Sequence, residues 1–150
     1  MNATRRPYRP TIGTISHGTL RTDDLMISFA DELRRIAPDH DLVKEADAVQ
    51  TLWAAGWLNV YDGEEAHELV DLLQDELSAN APPYCYFGNT EGDGSDFGFW
   101  PSMEAIEELP RVADPAEVPD GGTGEDVTFV NDHGNVTVYG ADGAILIELV

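Results

Sequence analysis

The sequence of 150 residues contains little cysteine, few basic residues and no long apolar run. Its single cysteine, Cys85, excludes an internal disulfide and any zinc site that is built on several cysteines. No run reaches the roughly 18 to 20 apolar residues that are needed to cross a bilayer, and residues 1–10 lack the apolar stretch of a secretory signal. We therefore expect a soluble protein that stays in the cytosol of the cell that makes it.

Basic residues are scarce, and all but one of them lie in the first third of the chain. Eight Lys and Arg stand against 29 Asp and Glu, for a formal net charge of -21. Up to Lys44 there are seven basic and six acidic residues, whereas the remainder holds 23 acidic residues and Arg111 alone. Such a surface repels nucleic acid and anionic membranes, and its field attracts basic partners. We therefore expect no direct contact with nucleic acid or membrane.

Apolar residues make up 42% of the chain, which is too much for a wholly disordered protein. A chain of this length normally forms one domain that buries roughly two thirds of its unfolded surface. We therefore predict a single domain over residues 1–150. The domain includes a basic, partly ordered arm at residues 1–11 and an acidic, exposed connection at residues 110–126. The connection is rich in Pro, Gly, Asp and Glu and shows no periodic spacing of apolar residues.

Helical spacing of apolar residues predicts three helices in the first half of the chain. They cover residues 22–37, with Thr22 as the cap, residues 41–55, which Gly56 closes, and residues 63–79. Ser102 is expected to cap a short fourth helix over residues 103–109.

Strand patterns predict a sheet in the second half. Two aromatic runs flank the glycine-rich segment 88–95 as a hairpin, and three β-branched runs at the end of the chain form a meander. The runs are 84–87, 96–100, 127–130, 136–139 and 144–150, and a short extended stretch is expected at 11–16. The sequence thus predicts an α+β fold, with an antiparallel sheet of about five strands that is covered by three to four helices.

One face of the third predicted helix is regularly acidic. Glu64, Glu68, Asp71 and Asp75 follow the spacing i, i+4, i+7 and i+11, so they line one exposed side. Glu65 and Glu76 widen this row. Like charges at such spacing oppose helix formation by about 0.2 to 0.5 kcal/mol per pair, so the fold gains nothing from them. We interpret the row as a partner-binding surface.

A second acidic edge is expected on the aromatic hairpin, at Glu91, Asp93 and Asp96. Segment 89–96 begins like a calcium loop, but the twelfth position of that motif, a bidentate Glu, is Trp100 here. The sequence leaves open a metal-dependent enzyme that uses this segment with His17 or His133. It favours a non-enzymatic protein with no cofactor, and it identifies no catalytic residue and no metal ligand.

The acidity has a second interpretation. One Lys against seven Arg, with abundant Asp, Glu, Ala and Gly, is also typical of proteins from a high-salt or GC-rich background. In that case the carboxylates serve solubility, and the function lies elsewhere. The two interpretations predict different behaviour in dilute buffer, because self-repulsion is screened only when salt is present.

Three stretches carry a resemblance to a known group of proteins. They are residues 14–25, residues 86–101 and residues 130–137. In these stretches, about a quarter of the chain, the sequence resembles small uncharacterised proteins that bacteriophages and plasmids carry. The resemblance implies no activity and no catalytic residue. It implies a context in which small acidic proteins inhibit host defence, as anti-restriction and anti-CRISPR proteins do, in several cases by imitating nucleic acid.

Together these observations suggest a non-enzymatic accessory protein of a phage, virus or plasmid. In this hypothesis it works in the host cytosol, where it binds a basic, nucleic-acid-binding host protein and blocks the groove that holds the substrate. The segregated charge is the observation on which the hypothesis rests.

Overall fold

The computed structural model describes residues 8–149, in two compact units whose described parts are residues 8–100 and 101–149. Four α-helices and two sheets confirm the α+β class. The single-domain organisation stays a prediction, and most of the predicted basic arm lies outside the described residues. No helix in the described part of the chain is both long and apolar enough to cross a membrane.

The first unit is a three-stranded antiparallel sheet with three helices. Its elements are β1 (Gly13–Ser16), α1 (Thr22–Ile36), α2 (Asp41–Ala54), α3 (Glu64–Ala79), β2 (Cys85–Thr90) and β3 (Asp93–Pro101). The strand order in the sheet is β1-β3-β2. All three predicted helices and the aromatic hairpin are therefore present, with ends that differ by a few residues.

Local chemistry fixes the ends of the helices. The Nδ1 atom of His40 accepts the backbone N–H of Leu42 at 3.0 Å and so caps α2. At the other end Gly56, with φ of +102°, closes the helix as predicted. The prediction that Thr22 caps α1 is wrong, because Thr22 is already helical and Arg21 holds the cap position.

Aromatic and aliphatic side chains from the helices and the sheet form the core of the first unit. Phe29 of α1 is fully buried and meets the rings of Phe87 and Phe97 edge-on, with centroids 4.9 and 5.3 Å apart. Leu73 and Leu77 contribute the inner side of α3. Because these residues are inaccessible to water, the orientation of α3 is fixed and its opposite side must face solvent.

The second unit is a small mixed sheet with a short helix. Its elements are α4 (Met103–Glu107), β4 (Arg111–Val112), β5 (Val127–Val130), β6 (Val136–Tyr139) and β7 (Ile145–Leu149). The strand order is β4-β5-β6-β7, with β4 parallel to β5 and the other pairs antiparallel. The hydroxyl of Ser102 caps α4, as predicted, and the predicted meander is confirmed as β5 to β7.

The prediction of one five-stranded antiparallel sheet is wrong, because the strands divide between two sheets. In the first sheet β1 pairs with β3 and places Gly13 beside Phe99 and Thr14 beside Gly98. A Cβ atom on Gly98 would lie 2.1 Å from the carbonyl oxygen of Gly13, so this pairing requires glycine. A close approach of two backbones at a single residue leaves no periodic pattern in the sequence.

The stretch 110–126 is more structured than predicted. It contains β4 and a single 3-10 turn at Pro115–Glu117, which the carboxylate of Asp114 caps at the N–H of Ala116. The side chains of this stretch remain mostly exposed, as expected. Strand β4 has two residues, which is too short for any alternation of apolar and polar side chains. The sequence pattern therefore could not predict it.

Candidate protein-binding site

The outer face of α3 is an uninterrupted row of exposed carboxylates. Glu64, Glu68, Asp71 and Asp75 are all exposed, whereas Leu69 and the other core residues of the helix are buried on the opposite side. We call these four residues the acidic row. With a rise of about 1.5 Å per residue, the row extends roughly 16 Å along the helix axis. The sequence placed these four side chains correctly on one outward face.

No cation within salt-bridge distance is found for any carboxylate of the acidic row among residues 8–149. Helix α1 differs, since each of its four carboxylates has a partner. Asp23 pairs with Arg21 at 3.0 Å, Asp31 with Arg34 at 2.6 Å and Glu32 with Arg35 at 3.7 Å, while Asp24 accepts the hydroxyl of Thr19. The negative potential of the acidic row is therefore not neutralised locally.

The two residues that were expected to widen the row differ from each other. Glu65 is exposed and borders a groove between α2 and α3. Glu76 is half-buried, and its Oε1 atom lies 3.3 Å from Nε2 of His40 and 3.2 Å from Nδ2 of Asn80. Because Glu76 links the start of α2 to the end of α3, its carboxylate is less available to a partner than that of Glu65.

The hairpin carboxylates are mostly engaged within the first unit. Oδ1 of Asp93 accepts the backbone N–H of Ser95 at 3.0 Å and its hydroxyl at 2.9 Å, and these hydrogen bonds lower the pKa of Asp93. His17 adds a contact at 3.3 Å, and Thr14 donates to Asp96 at 2.7 Å. Glu91 is exposed at the tip of the hairpin.

The segment that resembled a calcium loop is a tight hairpin. Strand β2 ends at Thr90 and strand β3 begins at Asp93, so Glu91 and Gly92 alone form the turn. Gly92 has a φ of +91°. Within residues 8–149, no group of three or more His, Cys, Asp and Glu side chains has the arrangement of a metal site. His133 lies exposed in a turn of the second unit, where its backbone N–H donates to Oδ1 of Asn131.

Cys85 is half-buried at the start of β2, and burial raises the pKa of its thiol to about 11. At neutral pH such a thiol is almost wholly protonated, and the thiolate is the nucleophilic form. Cys85 therefore acts as an apolar residue.

Sequence reasoning missed a second exposed surface, which is apolar. Leu52, Trp53, Trp57 and Leu58 are 40%, 47%, 65% and 71% exposed, and every residue from 51 to 59 is exposed. Leu52 and Trp53 follow the same helical spacing as the other apolar residues of α2, yet both side chains are exposed. The sequence does hold one signal for this surface. Trp53 and Trp57 flank Gly56, which ends α2, so Trp57 must lie beyond the helix.

The groove between α2 and α3 adjoins this apolar surface. It has a volume of about 290 Å³, and Val49, Leu52, Val60, Leu69 and Leu72 form its apolar lining. Glu45, Glu65 and Glu68 contribute its charged rim. Glu68 thus belongs both to the acidic row and to the rim, so the two surfaces are continuous.

Comparison of the chain with protein-family models, with curated proteins and with solved structures found no match in any of the three.

Proposed function

We propose that this chain is a non-enzymatic acidic protein that binds and inhibits a basic, nucleic-acid-binding host protein. In this proposal it is an accessory protein of a phage, virus or plasmid, of the anti-restriction or anti-CRISPR kind, and it works in the host cytosol. The observation that carries the proposal is the acidic row of α3, in which four exposed carboxylates have no cation within reach in the described chain.

The spacing of the acidic row supports nucleic-acid mimicry. Its carboxylates follow one another at about 4.5 to 6 Å along the axis of a helix, so they present negative charge at regular intervals on a rigid rod. A groove that binds a phosphate backbone with Lys and Arg attracts such a rod by the same electrostatic interactions. The row covers roughly 16 Å, which is enough to occupy several phosphate sites at once.

The energetic cost of the row also supports a role outside the fold. Neighbouring carboxylates at i+3 and i+4 repel each other, and no Lys or Arg in the described residues compensates that repulsion on α3. Helix α1, in the same unit, is built with paired carboxylates. A binding partner that supplies the missing cations would relieve the repulsion between these carboxylates. The relief of repulsion favours association.

The test is capture from a host lysate followed by release with DNA. The immobilised wild-type chain should retain a basic protein at low salt and lose it when duplex DNA is added, because both compete for one groove. Replacing the acidic row with E64Q, E68Q, D71N and D75N should reduce capture at least tenfold. A matched control, E104Q, E107Q, E108Q and E117Q, removes the same charge from exposed positions in the second unit and should retain capture.

Equal loss of capture in both variants would mean that net charge alone is responsible, and it would overturn the role of the acidic row. Capture that duplex DNA does not release would overturn competition for a nucleic-acid groove. Unchanged capture by the acidic-row variant would exclude α3 from the interface.

Adaptation to high salt is a second candidate, and the exposed carboxylates of the second unit favour it. Glu104, Glu107, Glu108 and Glu117 are all exposed there, so acidity is not restricted to α3. If the acidity serves solubility in high salt, the chain should unfold in dilute buffer, where the Debye length is long. Circular dichroism in low and molar NaCl separates the two candidates, since a fold that persists in dilute buffer supports the binding function.

A further inference from the structure

A groove on the first unit has both an apolar floor and an acidic rim. Its floor includes Leu52 of α2 and Leu72 of α3, which are 40% and 45% exposed. Its rim is formed by Glu45, Glu65 and Glu68. The side chains that line the groove in the described structure include three glutamates and no cation. The groove therefore combines two kinds of complementarity in one place.

The two helices that form the groove run in opposite directions. His40, at the start of α2, contacts Glu76 near the end of α3, while Leu52, near the end of α2, borders the groove with Glu65 at the start of α3. From Glu65 to Leu72 the groove extends about 10 Å along α3. That length fits two turns of a third helix, with apolar side chains at positions i, i+3 or i+4, and i+7.

The end of α2 holds the backbone beneath the neighbouring apolar side chains in an ordered turn. The backbone N–H of Trp57 donates to the carbonyl of Leu52 at 3.0 Å, and the N–H of Gly56 donates to the carbonyl of Trp53 at 3.0 Å. These two hydrogen bonds form a Schellman motif, which sets the direction of the chain after the helix. Trp57 is thus exposed from an ordered turn, so little backbone conformational entropy is lost when a partner covers it.

Exposed tryptophans on an ordered surface indicate a binding interface. A monomer gains nothing from placing Trp53, Trp57 and Leu58 in water, and tryptophan is among the residues that contribute most to protein interfaces. Val60 lines both the groove and the hollow formed by residues 55–60, so the tryptophan segment and the groove form one continuous surface.

We propose that this groove binds a cationic amphipathic helix of the partner protein. Its apolar side chains would pack on Leu52, Val60 and Leu72, and its Lys or Arg side chains would pair with Glu45, Glu65 and Glu68. The inference rests on the proposed function, which gives the partner its positive charge, and it specifies which element of the partner is recognised.

Charge decides among the possible occupants. A second copy of this chain would bring another formal charge of -21 to a surface with an acidic rim, so self-association is disfavoured. An anionic membrane is repelled for the same reason. An apolar side chain on a cationic helix satisfies the floor and the rim together.

The experiment is a fluorescence titration of the intact chain with three synthetic 14-residue peptides that lack tryptophan. The first has Leu and Lys at helical spacing, the second has the same composition scrambled so that no apolar face forms, and the third has Glu in place of Lys. The first peptide should bind at least tenfold more tightly than the second and shift the emission of Trp53 and Trp57 to the blue. The third should not bind.

Two variants test the location of the site. L52S with L72S changes two exposed side chains of the groove and should weaken binding of the first peptide at least tenfold. The matched control, I145S with L146S, changes two exposed apolar side chains in the second unit and should leave the affinity unchanged.

Each adverse outcome overturns a separate part of the argument. If the scrambled peptide binds as tightly as the amphipathic one, the groove is not used, yet the proposed function of the acidic row still stands. If the groove binds the first peptide but no DNA-releasable partner is captured, the proposed function fails and the groove remains. If ultracentrifugation finds a dimer that L52S with L72S dissociates, a second copy occupies the groove, and the inference is wrong.

Discussion

Helices α1 and α3 pack in the same core but differ in how their carboxylates are arranged. On α1 each carboxylate meets a donor, and Arg34 bridges Asp31 to Asp47 of α2. On α3 the acidic row meets no cation in the described residues. Glu76, on the same helix, contacts the side chains of His40 and Asn80. The comparison suggests that the carboxylates of α1 serve the fold, whereas those of α3 are available to a partner.

The difference follows from where the basic residues are in the chain. Seven of the eight basic residues lie within the first 44 positions, so α1 and the start of α2 can be paired locally. Helix α3 comes after Lys44, and the next basic residue in the sequence is Arg111. Neutralisation of the acidic row would need contacts from distant residues, and the described structure supplies none.

The largest effect is expected where a carboxylate of α1 is buried. The side chain of Glu32 is 2% exposed, and its Oε1 atom accepts the hydroxyl of Tyr8 at 2.7 Å. Y8F removes this donor and leaves a buried charge with less compensation, so we expect the free energy of unfolding to fall by about 1 to 3 kcal/mol. Urea denaturation measures the change.

A matched control for this effect is Y86F, since the hydroxyl of Tyr86 donates to the carbonyl of Asn89 at an exposed position. The free energy of unfolding should fall much less in Y86F than in Y8F, because water replaces the exposed hydrogen bond. Equal losses in the two variants would show that Glu32 does not need its partner, and the contrast between α1 and α3 would weaken.

An intermediate effect, of opposite sign, is expected on α3. Neutralising Glu68, Asp71 and Asp75 together removes several repulsive i+3 and i+4 pairs and should raise the free energy of unfolding by about 0.5 to 1 kcal/mol at low salt. D31N on α1 instead removes an ion pair and should lower it by about 0.2 to 0.5 kcal/mol. Both changes should shrink in molar NaCl, and a loss of stability in the α3 variant would contradict the comparison.

The smallest effect is expected at the hairpin, where Asp93 provides a paired carboxylate outside α1. Hydrogen bonds from Ser95 lower its pKa, so the folded state gains stability from the ionised form. That gain is present above the ordinary carboxyl pKa and is lost as the pH falls through the lowered pKa of the folded state. Thermal unfolding should thus find D93N less stable than wild type at pH 7 and equal to it at about pH 2.

E91Q provides the reference for this titration, because Glu91 is exposed at the tip of the same hairpin. Its stability relative to wild type should change little between the two pH values. A constant deficit of D93N at every pH would mean that the shape of the side chain matters there and its charge does not.

Much of the fold could be predicted from local patterns. Apolar spacing placed α1, α2 and α3 within a few residues of their observed ends, and the same periodicity put Glu64, Glu68, Asp71 and Asp75 on one outward face. The turn residues between the last three strands predicted the meander. These features depend on neighbours within one or two helical turns or across one reversal of the chain, so local sequence patterns are sufficient to predict them.

Other features were decided only by tertiary contacts. The pairing of β1 with β3 and of β4 with β5 joins residues that are far apart in sequence, and it divided the predicted single sheet into two. The exposure of Leu52 and Trp53 depends on where α2 meets α3, and whether a carboxylate is paired depends on which side chains the fold brings near it. Periodicity identifies the face on which a residue lies, but only the packed structure determines what covers that face.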